Sequence, residues 1–291
     1  FIAEGRLSLY DYYSIKPDSA DQLLIDSLQK RGADGDYQQK ELNEVMDVKP
    51  SLERLCLTIK EYVPGKKGIV YAISIQHAEH IAEYYRDNGI KAVAISSKTP
   101  LAERQELIER FKFSSLSSSL KSKDDEIEVL VSVDLFSEGF DCPDVEFIQL
   151  ARPTLSLAKY MQMVGRGLRV AKGKEYCVIL DNVGLYKRFG LPSVDRDWQS
   201  MFEGRTSLED ILQEACMQVN SHNCRMDVLM DGDEDMMKII SHERQQRMIM
   251  DSYGYKIVED EKGLKGIKDK DGKMILECQY KKIEVTNDGF A

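Results

Sequence analysis

Between about Lys66 and Asp181 the chain alternates short apolar runs with longer amphipathic ones, and few folds accept that alternation. The runs Gly68–Ser74, Ala92–Ser96, Glu128–Val133, Glu146–Leu150 and Glu175–Leu180 have the length of strands. The segments between them, Gln76–Asn88, Leu101–Phe111 and Leu155–Val164, carry helical spacing. Asn88-Gly89 closes the first of these and Thr99-Pro100 opens the second. Strands that alternate with helices form crossovers, and crossovers build a parallel sheet buried on both faces. The expectation is an α/β chain: a three-layer domain with a mainly parallel sheet, a small helical segment and a short β-rich C-terminal tail.

A length of 291 residues with 42% hydrophobic content supports one ordinary core plus appendages. Residues 1–45 read as a connector: the opening FIAEGRLSLYDYYSI looks like the end of an element rather than a start, and Arg31–Asp36 (RGADGD) breaks any helix. Leu42–Tyr62 is an amphipathic lead-in, and residues 46–204 hold the sheet. Ser114–Asp125 (SSLSSSLKSKDD) is expected to be a polar surface loop. Residues 205–251 have helical spacing, with Ser207 and Asp210 as a capping pair. In residues 252–291, Asp271-Gly272 is a favoured type I′ hairpin dipeptide between the short runs Tyr255–Val258, Gly266–Lys268, Met274–Leu276 and Lys282–Val285.

The net charge of −10 excludes a generally basic surface that coats nucleic acid, so any such contact must be local. The longest apolar run, Gly68–Ile75, falls short of the roughly 18 residues of a membrane span. No charged-then-apolar leader opens the chain, and no membrane partner is expected. Six cysteines without a CxxC pair fit a reducing cytoplasm. His77 and His80 lie three apart with only Glu79 between them as a further donor, so no metal is expected there. The lone Trp198 is expected to pack against the sheet.

The sharpest motif is Gln162–Arg169, QMVGRGLR, which places Gln162, Arg166 and Arg169 at i, i+4 and i+7 of a helical stripe. Two guanidinium forks and an amide on one side suit a phosphoryl group gaining charge; the alternative is a surface helix with two solvated arginines. Gly165 and Gly167 each cost helix propensity of about 1 kcal/mol, which makes sense where another backbone or a phosphate approaches closely. About twenty residues earlier, Val129–Val145 (VLVSVDLFSEGFDCPDV) is an apolar strand that ends at an acid and breaks at Gly139 before Asp141 and Pro143. Ligands of open α/β sheets bind where strands end in this way. Asp141 either accepts from a ribose hydroxyl or holds one of the arginines, while Asp134 and Glu138 read equally well as ordinary loop acids.

In this order and spacing the two motifs resemble motifs V and VI of superfamily-two helicases of the DEAD/DEAH type. Gly68–Ser74 (GIVYAIS) resembles motif IV, and Ser96–Arg104 (SSKTPLAER) the nucleic-acid-facing segment that follows it. VDLFSEGFD, ARPTLSLAKYMQMVGRGLR and LDNVGLYKRFGLP look most like the RadD-like and type III restriction-subunit branch. The resemblance implies the C-terminal RecA-like domain of an ATP-dependent helicase or translocase. ATP and Mg would be bound mainly by an N-terminal RecA-like domain in cis. Arg166 and Arg169 would be the arginine fingers, Gln162 a γ-phosphate-side contact, and Gly139 with Asp141 the ribose-side loop. Ser96, Ser97, Lys98 and Thr99 would face a nucleic acid, DNA ahead of RNA, with Arg152 and Thr154 beside them; a helix-capping role for Thr154 is the alternative.

Where many members of the family have a Thr before the motif V acid this chain has Val133, so contact there falls to backbone amides or Ser132. The 291 residues contain no GxxxxGK[ST] loop and no DExH or DEAD acid pair, so this stretch is expected to be inactive alone. Gly263–Ala291 resembles a WG-type repeat with Lys265 in place of the defining Trp, which implies protein partners through the tail. The competing reading is a non-catalytic RecA-like scaffold for protein–protein interaction.

Overall fold

Seven strands form one sheet: β1 (Leu9–Ile15), β2 (Gly68–Tyr71), β3 (Ala92–Ile95), β4 (Val129–Ser132), β5 (Phe147–Leu150), β6 (Tyr176–Asp181) and β7 (Met236–Ile240), in the order β3-β4-β2-β5-β6-β1-β7. All neighbours are parallel except β7, which runs antiparallel to β1. The computed structural model describes residues 2, 4–113, 126–133, 141–203, 236–280, 283, 285–286 and 289–290. The expected serine-rich loop at 114–125, the Ser207 cap, Asp134, Glu138 and Gly139 lie outside those residues.

Side chains alternate across each strand, so Ile69 and Tyr71 face one layer of helices while Val70 and Ala72 face the other. The helices are α1 (Ala20–Asp26), α2 (Gln39–Met46), α3 (Lys49–Tyr62), α4 (Ile75–Asp87), α5 (Leu101–Phe113), α6 (Leu157–Gly167), α7 (Leu185–Phe189), α8 (Trp198–Phe202) and α9 (His242–Ser252). On one face α3 and α4 bury Leu55, Ile59, Ile81 and Tyr85 against Val70, Val131 and Leu180. On the other, α5 and α6 bury Phe111, Tyr160, Met163 and Val164 against Ile69, Leu130, Ile148 and Ile179. This is the expected three-layer, mainly parallel architecture. Ser74 caps α4 by accepting from His77 N–H, and Asn88 followed by Gly89 at φ 81° ends it.

The flanks differ from expectation. The segment read as a connector supplies β1, which pairs with β6 from Leu9 to Ser14, so the sheet extends outside 46–204. What looked like the end of an element is a buried strand: Tyr10 and Tyr12 are fully buried, and Ser14 donates to the equally buried Asp181 (3.0 Å). Within 205–251, the described part opens with a strand, β7, before α9. The amphipathic lead-in is two helices, α2 and α3, broken at Asp47-Val48, with Pro50 in the first turn of α3 where its absent N–H costs nothing. Trp198 is 53% exposed at the start of α8, beside the Arg196 guanidinium, rather than packed on the sheet.

The tail forms a three-stranded antiparallel sheet of β8 (Tyr255–Glu259), β9 (Lys265–Asp269) and β10 (Met274–Tyr280), packed on α9 through Met250 and Ile267. Its second hairpin has a three-residue loop, not the two-residue type I′ turn: Asp269 N–H donates to Lys273 O, and Gly272, at φ 83°, donates to Asp269 O. The Asp269 carboxylate accepts from Asp271 N–H and Lys273 N–H (2.9 Å each), which favours the longer loop. Asp260 and Gly263 build the first hairpin in the same way. Two further strands, β11 (Val285–Thr286) and β12 (Gly289–Phe290), pair with each other. Among the described residues, no helix is long and apolar enough to cross a membrane.

Candidate functional site

Helix α6 carries the arginine motif. Ser156 opens it by accepting from Lys159 N–H, and Leu157, Tyr160, Met163 and Val164 bury one face. That burial turns Gln162 outward and leaves Arg166, one turn on, half-buried. The helix stops at Gly167, with Leu168 donating to Val164 O. Arg169 therefore does not continue the stripe: it lies beyond the helix in an antiparallel bridge with Leu7, supported by Ser8 N–H to Leu168 O (2.8 Å). The bridge rather than helical phase sets its direction, and its guanidinium is ion-paired with Asp141. Of the two readings open for Asp141, holding an arginine is the one seen. Both side chains are well exposed, so the pair contributes only about 0–1 kcal/mol. Its consequence is where it holds the guanidinium.

The two glycines of the motif do different things. A Cβ on Gly167 would lie 2.5 Å from Ile148 Cγ1 and 2.6 Å from Cys177 Sγ, so this glycine lets the helix sit on the sheet. At Gly165, a Cβ would meet nothing within 4 Å among the described residues. Reasoning from the sequence missed Lys174, whose ammonium donates to the carbonyls of Gly167 (2.5 Å), Arg169 (3.0 Å) and Pro143 (3.1 Å). The one signal was a lysine set directly before an apolar strand.

The location also differs. Asp141 was expected at the carboxyl end of a strand, but Asp141, Arg169 and Leu7 all precede the strands they lead into, β5, β6 and β1, so the pair sits on the amino edge of the sheet. Gln162 and Arg166 lie on the helix that returns to this edge.

The opposite, carboxyl edge holds the other candidates. After β3, Ser96–Thr99 form a turn in which Thr99 Oγ1 accepts from Ser96 N–H (3.1 Å) and Ser96 Oγ accepts from Lys98 N–H (3.2 Å). Arg104 donates to Thr99 O (3.0 Å) and fixes it, with Ser97 and Lys98 exposed. Arg152, after β5, donates to Val133 O (3.2 Å). Two residues expected to touch a ligand here do not face solvent: Ser132 is 3% and Thr154 1% exposed. Thr154 donates to Asp36 (2.7 Å) and accepts from Ser156 N–H, because the RGADGD segment folds over this loop. Asp36 also accepts from Leu155 N–H (2.7 Å) and Lys159 Nζ (2.9 Å). Burial raises its carboxyl pKa, but these hydrogen bonds outweigh it and hold the group below its ordinary range.

The histidines of α4 have internal roles. His80 meets Asp47 (2.9 Å), while His77 Nδ1 accepts from Ile73 N–H (3.2 Å) and burial pushes its pKa down to about 4. Among the described residues, no group of three or more His, Cys, Asp or Glu is placed to hold a metal.

Residues 50–171 match the family model described as "Helicase conserved C-terminal domain". The chain is 34% identical over 203 residues to the "51.5 kDa protein" of a Lactococcus phage (isolate 7-9), covering 70% of this chain and 40% of that protein. It is 32% identical over 152 residues to "Putative ATP-dependent helicase IRC3" of Saccharomyces cerevisiae, covering 51% of this chain and 20% of that one. The chain thus spans less than half the length of these relatives. Among solved structures it is similar to the Pyrococcus furiosus Hef helicase domain, at 22% identity, TM-score 0.34, and 54% and 29% coverage of the two chains. The matched stretch takes in β2 to α6 and both motifs, and over it the chain is similar to the C-terminal domain of superfamily-two helicases.

Proposed function

We propose that this chain is the C-terminal motor domain of an ATP-dependent helicase or translocase, nearest the RadD-like and type III restriction branch. The observation that carries this reading is the Arg169–Asp141 ion pair on the amino edge, two residues beyond the end of the helix that carries Arg166, with the Ser96–Thr99 turn on the opposite edge. In the full encoded protein, ATP and Mg would be held mainly by an upstream RecA-like domain. Arg166 and Arg169 would reach across to the γ-phosphate with Gln162 beside them, and the Gly139–Asp141 loop would lie near the ribose. Preorganised guanidinium groups stabilise the charge that spreads over a transferring phosphoryl group, a contribution of roughly 10³–10⁵ in rate.

Nucleic acid, DNA ahead of RNA, would lie along Ser97, Lys98 and Arg152 on the carboxyl edge. Closure on ATP would then move one edge relative to the upstream domain while the other holds the strand. Without that domain, residues 1–291 would bind a strand weakly and turn over no ATP. Cytoplasmic residence goes with the reading and with the free thiols of Cys56, Cys142, Cys177 and Cys278.

The test is ATPase activity of the full encoded protein with and without single-stranded DNA or RNA, for wild type, Arg166→Ala and Arg169→Ala. Each substitution is expected to lower stimulated turnover by roughly 10³-fold. Turnover indifferent to nucleic acid or to both arginines would sink the motor reading and favour the scaffold.

A further inference from the structure

Lys174 stands in the turn that returns from Arg169 to β6, ahead of the first strand residue, and its side chain is half-buried. An ammonium carries three hydrogens, and here all three are used on backbone carbonyls: Gly167 O at 2.5 Å, Arg169 O at 3.0 Å and Pro143 O at 3.1 Å. Gly167 is the last residue of α6, so a cation there also meets the negative end of the helix that bears Arg166. Arg169 is the ion-pairing arginine itself, and Pro143 follows Asp141 by two residues. One charge therefore ties together the backbone of all three elements of the amino-edge site.

The carboxylates nearby do not make Lys174 an ordinary ion-pair residue. Asp144 is turned to Lys67 Nζ (2.8 Å) and to the Cys142 thiol (3.0 Å), and Glu146 accepts from Lys67 N–H (3.0 Å). Neutral carbonyls in fixed places, not a carboxylate free to follow it, receive the lysine. Such an arrangement sets positions of backbone relative to backbone.

We propose that Lys174 is a positioning residue for phosphoryl transfer, holding the Arg169 backbone at the distance from the Asp141 segment that aims its guanidinium. The proposal rests on the reading that Arg169 acts on ATP. Lys174 touches no nucleotide in it; it acts through Arg169. Burial also pulls the lysine pKa below its ordinary value, while Cys177, Asp144, Cys142 and Glu146 oppose the shift.

The experiment uses the full encoded protein with saturating single-stranded DNA. Steady-state ATPase and thermal melting are measured for Lys174→Met, Lys174→Gln, Arg169→Ala and the Lys174→Met/Arg169→Ala double variant. A misplacement of about 1 Å at a reacting group costs roughly 10²-fold, so kcat should fall by that order in both lysine variants with KM for ATP changed by no more than about twofold. In the Arg169→Ala background, Lys174→Met should cost nothing further, because the group it aims is gone. Lysine variants that melt lower yet keep wild-type kcat per folded molecule overturn the proposal. So do losses that multiply in the double variant, or failure of both lysine variants to fold, each of which assigns Lys174 to stability alone. Wild-type turnover in Arg169→Ala is a different failure: it removes the nucleotide reading itself, whatever Lys174 does.

Discussion

Gly165 and Gly167 are two positions apart on one helix, yet they answer to different neighbours. Adding a methyl at Gly167 drives it into Ile148 and Cys177, buried side chains that cannot yield without moving the helix off the sheet. Overpacking of this kind costs about 1–3 kcal/mol, more than the helix propensity that alanine gains. Gly167→Ala is therefore expected to lower the melting temperature, and a melt at or above wild type would contradict the packing argument. Gly165→Ala meets nothing within the described residues, so the chain should gain about 0.5–1 kcal/mol from helix propensity. If Gly165 is kept open for a phosphate or an opposing surface, the same variant should be more stable and less active in the ATPase assay. A Gly165→Ala protein both stabilised and fully active would leave that glycine without a role at the site.

At the scale of elements, what could be read in advance depended on whether a strand's environment is apolar or polar. β2, β4, β5 and β6 are mainly apolar runs because helices cover both their faces, so the sequence betrays them. β1 is as deeply buried but hides polar groups by pairing them. Tyr12 and Ser14 donate to Asp181 across to β6, and Asp11 accepts from His242 N–H (2.7 Å) and Lys238 Nζ (3.2 Å) on α9 and β7. Their partners lie more than 160 residues away, so no local window signals them. The ion pair of the site was half legible for the same reason. Arg169 and Asp141 were marked by their motifs, but the bridge to Leu7 and the Lys174 contacts that place them depend on the chain's return.

The same pairings make the β1 junction acid-sensitive. Burial alone raises the Asp11 pKa, yet the hydrogen bonds and charges of His242 and Lys238 bring it below its ordinary value; Asp36 is depressed likewise by Leu155, Lys159, Thr154 and Tyr37. A carboxyl whose folded pKa is depressed contributes stability above its unfolded pKa, about 3.9, and loses it as pH falls through the folded value. Urea unfolding at pH 7 and pH 3 should show wild type losing stability on acidification. Asp11→Asn and Asp36→Asn should be weaker at pH 7 and lose less between the two. Equal acid losses in all three proteins would place the sensitivity elsewhere.

Across the whole molecule the sheet would separate the two proposed chemistries by its own length. The arginines and Asp141 gather on the amino edge, while Ser97, Lys98 and Arg152 lie where β3 and β5 end on the carboxyl edge. With a net charge of −10, long-range attraction does not draw a polyanion to this chain, so the proposed nucleic-acid contact would depend on a few local cations. Each phosphate neutralised on a single strand releases counterions and contributes about 0.7 to the slope of log affinity against log salt. In the full encoded protein, Lys98→Ala is expected to weaken single-stranded DNA binding and reduce that slope by about 0.7, the loss of one phosphate contact. Arg169→Ala, on the far edge, should leave both the affinity measured without nucleotide and its salt slope at wild-type values while turnover collapses. Fluorescence titrations of a labelled oligonucleotide between low and moderate salt, run beside the ATPase assay, separate the two effects. If Arg169→Ala lowers the slope as Lys98→Ala does, nucleic acid reaches the amino edge, and the division of labour between the edges is wrong.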